Sequence, residues 1–69
     1  MQEFNKIKSA RVGAGLTQEQ MAEALGIATR TYQFKENGAA DWKLSEMNKF
    51  AEIISNSTGQ QYSVKDIFF

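Results

Sequence analysis

The stretch Thr17-Gln18-Glu19-Gln20-Met21-Ala22-Glu23-Ala24-Leu25-Gly26-Ile27, followed by Ala28 to Glu36, decides how this chain folds. Thr17 with Gln20 three places later is a capping box, in which the hydroxyl accepts from the third helical amide and the Gln side chain reaches back. Met21, Ala22 and Leu25 form an apolar stripe, and Gly26 ends it in the left-handed conformation that Gly adopts without steric cost. The spacing predicts a helix over 18–25. After the single connecting Ile27, the residues from Ala28 to Glu36 contain no Gly and are stopped by the turn dipeptide Asn37-Gly38, so a further short helix follows. Two helices joined by so short a turn cross steeply and need a small residue where they touch. Ala22 fills that place, with Met21, Leu25, Ile27 and Tyr32 as the shared core. The pair reads as a helix-turn-helix.

Working outward, Phe4, Ile7, Ala10 and Arg11 recur at helical intervals before the break at Gly13-Ala14-Gly15, which predicts a first helix near 3–12. Met47, Phe50, Ala51 and Ile54 fall at the spacing of one buried helical face and predict a helix over roughly 45–56. Asn56 to Gln61 is polar and reads as a surface loop, and Ser63-Val64-Lys65-Asp66 repeats the capping-box pattern at a last helical turn. The expected architecture is all-α: one domain over residues 1–69, a bundle of about five short helices without repeats.

Composition bounds the function. A chain of 69 residues supports one core, and its 42% apolar content is that of a folded globular domain. With no Cys and no His, disulfides, thiol nucleophiles, imidazole bases and the ordinary zinc or haem ligands are excluded. The carboxylates are scattered without paired-acid spacing, and Gly13-Ala14-Gly15 follows no strand, so it is no phosphate loop. No enzyme, metal or cofactor is expected. No stretch approaches the ~18 apolar residues of a membrane span, and Met1-Gln2-Glu3-Phe4 lacks the layout of a signal peptide, so the expected compartment is the cytoplasm.

The formal net charge is +0, with eight basic and eight acidic side chains. That balance argues against promiscuous polyanion binding but leaves room for a local basic face. Lys6, Lys8, Arg11, Arg30, Lys35, Lys43 and Lys49 all lie before residue 50, whereas Glu19 and Glu23 belong to the first helix of the pair.

Ile7-Lys8-Ser9-Ala10-Arg11, Gly15-Leu16-Thr17-Gln18-Glu19, Met21-Ala22, Leu25-Gly26-Ile27 and Glu36-Asn37-Gly38, spaced without a gap, resemble the phage repressor and Cro-like (XRE-type) helix-turn-helix family. Trp42, Met47, Phe50 and the terminal Asp66-Ile67-Phe68-Phe69 look most like small phage Cro-like proteins. The resemblance implies a lambda-repressor-like fold whose second helix-turn-helix helix enters the DNA major groove. It implies a sequence-specific transcriptional regulator acting on double-stranded operator DNA, as a homodimer at least when bound.

Carried over residue by residue, Gln18 matches the position that binds a phosphate and braces the recognition helix; the plainer reading is a solvated first-turn residue. Thr29, Arg30 and Gln33 would occupy the exposed side of the recognition helix. Arg30 can donate to guanine O6 and N7, Gln33 can pair with adenine N6 and N7, and Thr29 can meet a phosphate or a thymine methyl. Arg11 and Glu36 match a pair that forms a structural salt bridge in the family. Lys35, Asn37 and Lys43 are the phosphate candidates, against a reading as ordinary surface residues.

Two positions depart from the family pattern. Lys35 stands where an apolar residue precedes the Glu-Asn-Gly turn, with Phe34 one place earlier. On a regular helix Phe34 lies about 200° from Tyr32 and would face DNA, packing on thymine methyls. Alternatively the helix end is rotated, Phe34 completes the core with Trp42, and Lys35 snorkels outward. Ala28 stands where relatives carry a Ser or Thr cap, a loss of about 1 kcal/mol that leaves an amide free for a phosphate. The Phe68-Phe69 end would close the core or form a dimer seam. The alternative function is a protein-interaction module of the same fold, an antitoxin-like or antirepressor partner, suggested by the zero net charge, Phe34 and the aromatic end.

Overall fold

The computed structural model describes residues 5–69. It places five helices in order: α1 (Lys6–Gly13), α2 (Gln18–Leu25), α3 (Thr29–Glu36), α4 (Leu44–Thr58) and α5 (Val64–Phe68), with no strand among the described residues. Glu3 and Phe4, assigned above to the first helix, lie outside the described residues.

Local chemistry sets most of the boundaries. Asn5 caps α1 by accepting from the Lys8 amide at 3.0 Å. The Thr17–Gln20 box at α2 is complete: Thr17 Oγ1 accepts from the Gln20 amide at 3.0 Å, and Gln20 Oε1 accepts from the Thr17 amide at 2.9 Å. Gly26 caps α2 with φ at 75°, and the Ile27 amide returns to the Ala22 carbonyl at 3.0 Å. That reversal is what lays α3 across α2. Ser63 and Asp66 form the box that opens α5.

The polar segment 56–61 was expected to be loop, yet α4 continues to Thr58. Two hydroxyls that compete with a helix elsewhere support this one: Ser55 Oγ donates to the Ala51 carbonyl and Thr58 Oγ1 to the Ile54 carbonyl, both at 2.8 Å. Gly59, at φ 75°, ends the helix in the left-handed conformation. The Ser55 hydroxyl also accepts from the Tyr62 amide at 2.9 Å, so it anchors the turn into α5.

The helices share one core. Met21 and Ala22 from α2, Tyr32 from α3, Phe50, Ala51 and Ile54 from α4 and Ile67 from α5 are buried. Trp42, in the loop before α4, is its aromatic hub. Its ring meets Tyr32 at 6.2 Å, Phe50 at 5.5 Å and Phe68 at 4.9 Å between centroids, all edge-to-face. This geometry suits the ring quadrupoles, each pair adding about 0.5–1.5 kcal/mol beyond its buried area. Phe68 therefore closes the core, while Phe69 stands 77% exposed.

Candidate nucleic-acid interface

A helix leaves its last four carbonyls without intrahelical donors, and α3 satisfies all four. The Gln33 carbonyl accepts from the Asn37 amide at 3.0 Å, and the Phe34 carbonyl accepts from the Ala39 amide at 2.8 Å. The Lys35 carbonyl takes the Trp42 indole N–H at 3.0 Å, and the Glu36 carbonyl takes Asn5 Nδ2 at 2.8 Å. Donors from α1, the loop and the core thus hold this end of the helix.

Beneath it lies a buried polar network centred on Glu36. Arg11 Nε donates to Glu36 Oε2 at 2.7 Å and Arg11 Nη2 donates to Oε1 at 3.2 Å, a bidentate pair. The Tyr32 hydroxyl donates to Oε2, and Gln18 Nε2 donates to Oε1 at 3.2 Å. Arg11 Nη1 extends the network to the Leu16 carbonyl at 2.6 Å, and Gln33 Nε2 joins it by donating to Gln18 Oε1 at 3.2 Å. Burial pushes the Glu36 carboxyl up, but the donors from Arg11, Tyr32 and Gln18 outweigh it and hold the group below its ordinary range. The hydrogen bond to Glu36 correspondingly raises the Arg11 guanidinium. Burial first, and then Glu36, raise the Tyr32 hydroxyl, which stays a donor. The network ties α1, α2 and α3 into one unit.

The outer face of α3 is built differently. Its N-cap, Ala28, offers no side-chain cap to the first amides. Arg30 and Phe34 are exposed, and Thr29 and Gln33 are half-buried. The Arg30 guanidinium sits over the Phe34 ring, 5.7 Å from its centroid, and Arg30 has no carboxylate partner among the described residues. The outer face of α3 thus displays an unpaired guanidinium and an aromatic ring beside the half-buried Gln33 amide. A family model described as helix-turn-helix matches residues 7–58.

The chain belongs to the XRE-type helix-turn-helix family. Its function is accordingly that of a DNA-binding helix-turn-helix regulator, from a family of DNA-binding, non-enzymatic domains found in phage repressor and Cro-like proteins. Comparison with curated proteins and with solved structures returned no match. No helix among the described residues is long and apolar enough to cross a membrane.

Two expectations need correction. Lys35 is not a phosphate candidate on this helix-turn-helix domain. It is buried, and its ammonium donates to the Asp41 carbonyl at 2.8 Å and to Glu46 Oε1 at 2.9 Å. Nor does it snorkel outward. Helix α3 keeps its regular register, so positions 32, 35 and 36 share the inner face. Lys35 occupies the apolar site with its stem while its charge finds an acid on α4. The second correction follows from the first: Phe34 is 46% exposed and does not complete the core with Trp42.

Glu46 is the residue that sequence reading missed. Its Oε1 accepts from the Lys35 ammonium and from the Lys43 amide, both at 2.9 Å, which starts α4 and fixes the loop after α3. Burial pushes Glu46 up, and the Lys43 and Lys35 hydrogen bonds more than reverse this. A Lys at an apolar helical position was the available signal, since a buried ammonium requires a partner. Thr31 is also exposed on α3, three residues before Phe34. Asn37 and Lys43 are exposed at the start and end of the loop. Gln18 is half-buried, with its amide nitrogen turned to Glu36 and its oxygen to Gln33.

Proposed function

We propose that this chain is a sequence-specific transcriptional regulator of the phage Cro-like repressor type, which occupies an operator with α3 in the major groove and thereby blocks polymerase. The observation that carries the reading is the outer surface of α3, exposed at Arg30 and Phe34 and half-buried at Thr29 and Gln33, on a helix whose inner face is fixed by Glu36. Arg30 reads a guanine, Gln33 reads an adenine through the groups that Gln18 leaves free, and Thr29 and Phe34 meet methyl groups or backbone. Gln18, the amides at Ala28, Asn37 and Lys43 hold phosphates. Arg11 and Glu36 contribute by positioning α3 and touch no DNA.

One such domain spans only a few base pairs, so the regulator acts as a homodimer on a pseudo-palindrome with half-sites about 34 Å apart. The second copy docks through α4 and α5 or joins only on DNA. The compartment is the cytoplasm, where the operator is. Two of the eight basic side chains, Arg11 and Lys35, are committed to internal ion pairs, so non-specific binding is weak and its salt slope shallow. A shift assay across salt, with DNA flanking the gene against an unrelated duplex, tests this. Retention of the flanking DNA alone supports the proposal; equal retention of both, or none near 50 mM salt, refutes it.

The exposure of Leu44 (68%) and Phe69 supports the alternative of a protein-interaction module. Undiminished partner binding by Arg30→Ala and Gln33→Ala, with no DNA retained by the parent chain, would favour that alternative.

A further inference from the structure

The core closes around Tyr32, Trp42, Phe50 and Phe68 without Phe34, so nothing internal requires a large aromatic at this position. Phe34 nevertheless stands nearly half exposed one helical turn after Arg30, with its ring against the guanidinium at 5.7 Å. A cation–π contact of this kind restrains an arginine that otherwise samples many rotamers and keeps its guanidinium beside the ring. A guanidinium that is bidentate to guanine O6 and N7 lies close to the plane of that base. The base stacked on the guanine then lies on one side of the guanidinium, and a ring held against the guanidinium meets the major-groove edge of that neighbour. The apolar group available on that edge is a pyrimidine 5-methyl.

We propose that Phe34 and Arg30 act as one reader of a two-base step, a guanine beside a pyrimidine that carries a 5-methyl group. Arg30 supplies the hydrogen bonds, and Phe34 both restrains the guanidinium and covers the methyl. The proposal rests on the reading of α3 as the major-groove helix and adds to it a base step and a division of labour. It also accounts for the exposed ring, which a purely hydrogen-bonding recognition helix does not need.

The test begins by selecting the preferred duplex from a randomised pool with the full chain. Each thymine beside a guanine is then replaced singly by deoxyuridine, which removes only the methyl. The parent chain should lose about fourfold in affinity at one such thymine, the worth of a single buried methyl. Phe34→Ala should bind the two duplexes equally, and Phe34→Tyr, which keeps the ring, should retain the discrimination. Tolerance of every deoxyuridine by the parent overturns the proposal while leaving DNA reading intact, as does an undiminished methyl effect in Phe34→Ala. A parent that enriches no sequence overturns the regulator reading itself, and this inference with it.

Discussion

At its C-terminal end α3 has every orphan carbonyl engaged and a carboxylate beneath it that accepts from three side chains. Along its outer face the same helix begins on Ala28 with no side-chain cap and turns Arg30 and Phe34 to solvent. The two regions differ because they do different work. A recognition helix must be held still by one part of itself and left unsatisfied in another, since groups already paired within the protein cannot pair with a base or a phosphate. Substitutions at the closed end should therefore act on stability, and those on the open face on binding.

The largest expected effect comes from the closed end. Arg11→Ala leaves Glu36 buried with its charge uncompensated and should cost about 3–5 kcal/mol, measured by urea unfolding. A 69-residue domain has little more than that to lose, so the variant should be largely unfolded. Loss of DNA binding in this variant would follow from loss of the fold.

Acid should act on the same group more gradually. Because the folded protein holds Glu36 and Glu46 below the ordinary Glu value of 4.5, both contribute stability that is fully present above that value. The contribution is lost as pH falls through the lowered folded values. The urea midpoint should hold above about pH 5 and fall below it. Glu46→Gln should flatten part of that acid limb; an unchanged limb in this variant would remove Glu46 from the account.

A smaller change is expected at the open end. Ala28→Ser supplies the missing cap and should raise stability by about 1 kcal/mol. No gain in the urea midpoint would mean that the first amides of α3 are already satisfied. The smallest effect should come from Lys35→Met, which exchanges a buried ammonium for an apolar side chain of similar length. The change removes one partner of the Lys35–Glu46 pair, but Glu46 is only partly buried and retains the Lys43 amide, so its charge is not left uncompensated as that of Glu36 would be. Operator affinity and its salt slope should stay as in the parent, because Lys35 touches no phosphate. A salt slope reduced by about one would restore Lys35 to the interface.

The same comparison explains what could be read from sequence. Thr17, Gln20 and Gly26 write the limits of α2 within ten residues, and capping is a local interaction, so those limits are visible without the fold. The inner face of α3 was visible at Tyr32 and Glu36 but hidden at Lys35. Hydrophobic periodicity assigns a Lys to the surface, and the acid that permits its burial lies 11 residues away on another helix. The end of α4 was hidden for a related reason: Ser55 and Thr58 discourage helix by composition, yet here their hydroxyls bond back along it. The position of Phe34 could be settled only once Trp42 and Phe68 were seen to fill the core without it.

On the proposed reading the open face of α3 contacts DNA while its closed end only holds the helix. The most direct test is the affinity of Arg30→Ala for its selected operator, measured together with its urea midpoint. Binding should be weaker by about 1–3 kcal/mol, the worth of one bidentate base contact, at an unchanged midpoint. Binding equal to that of the parent, or a loss of binding matched by a loss of stability, would contradict it.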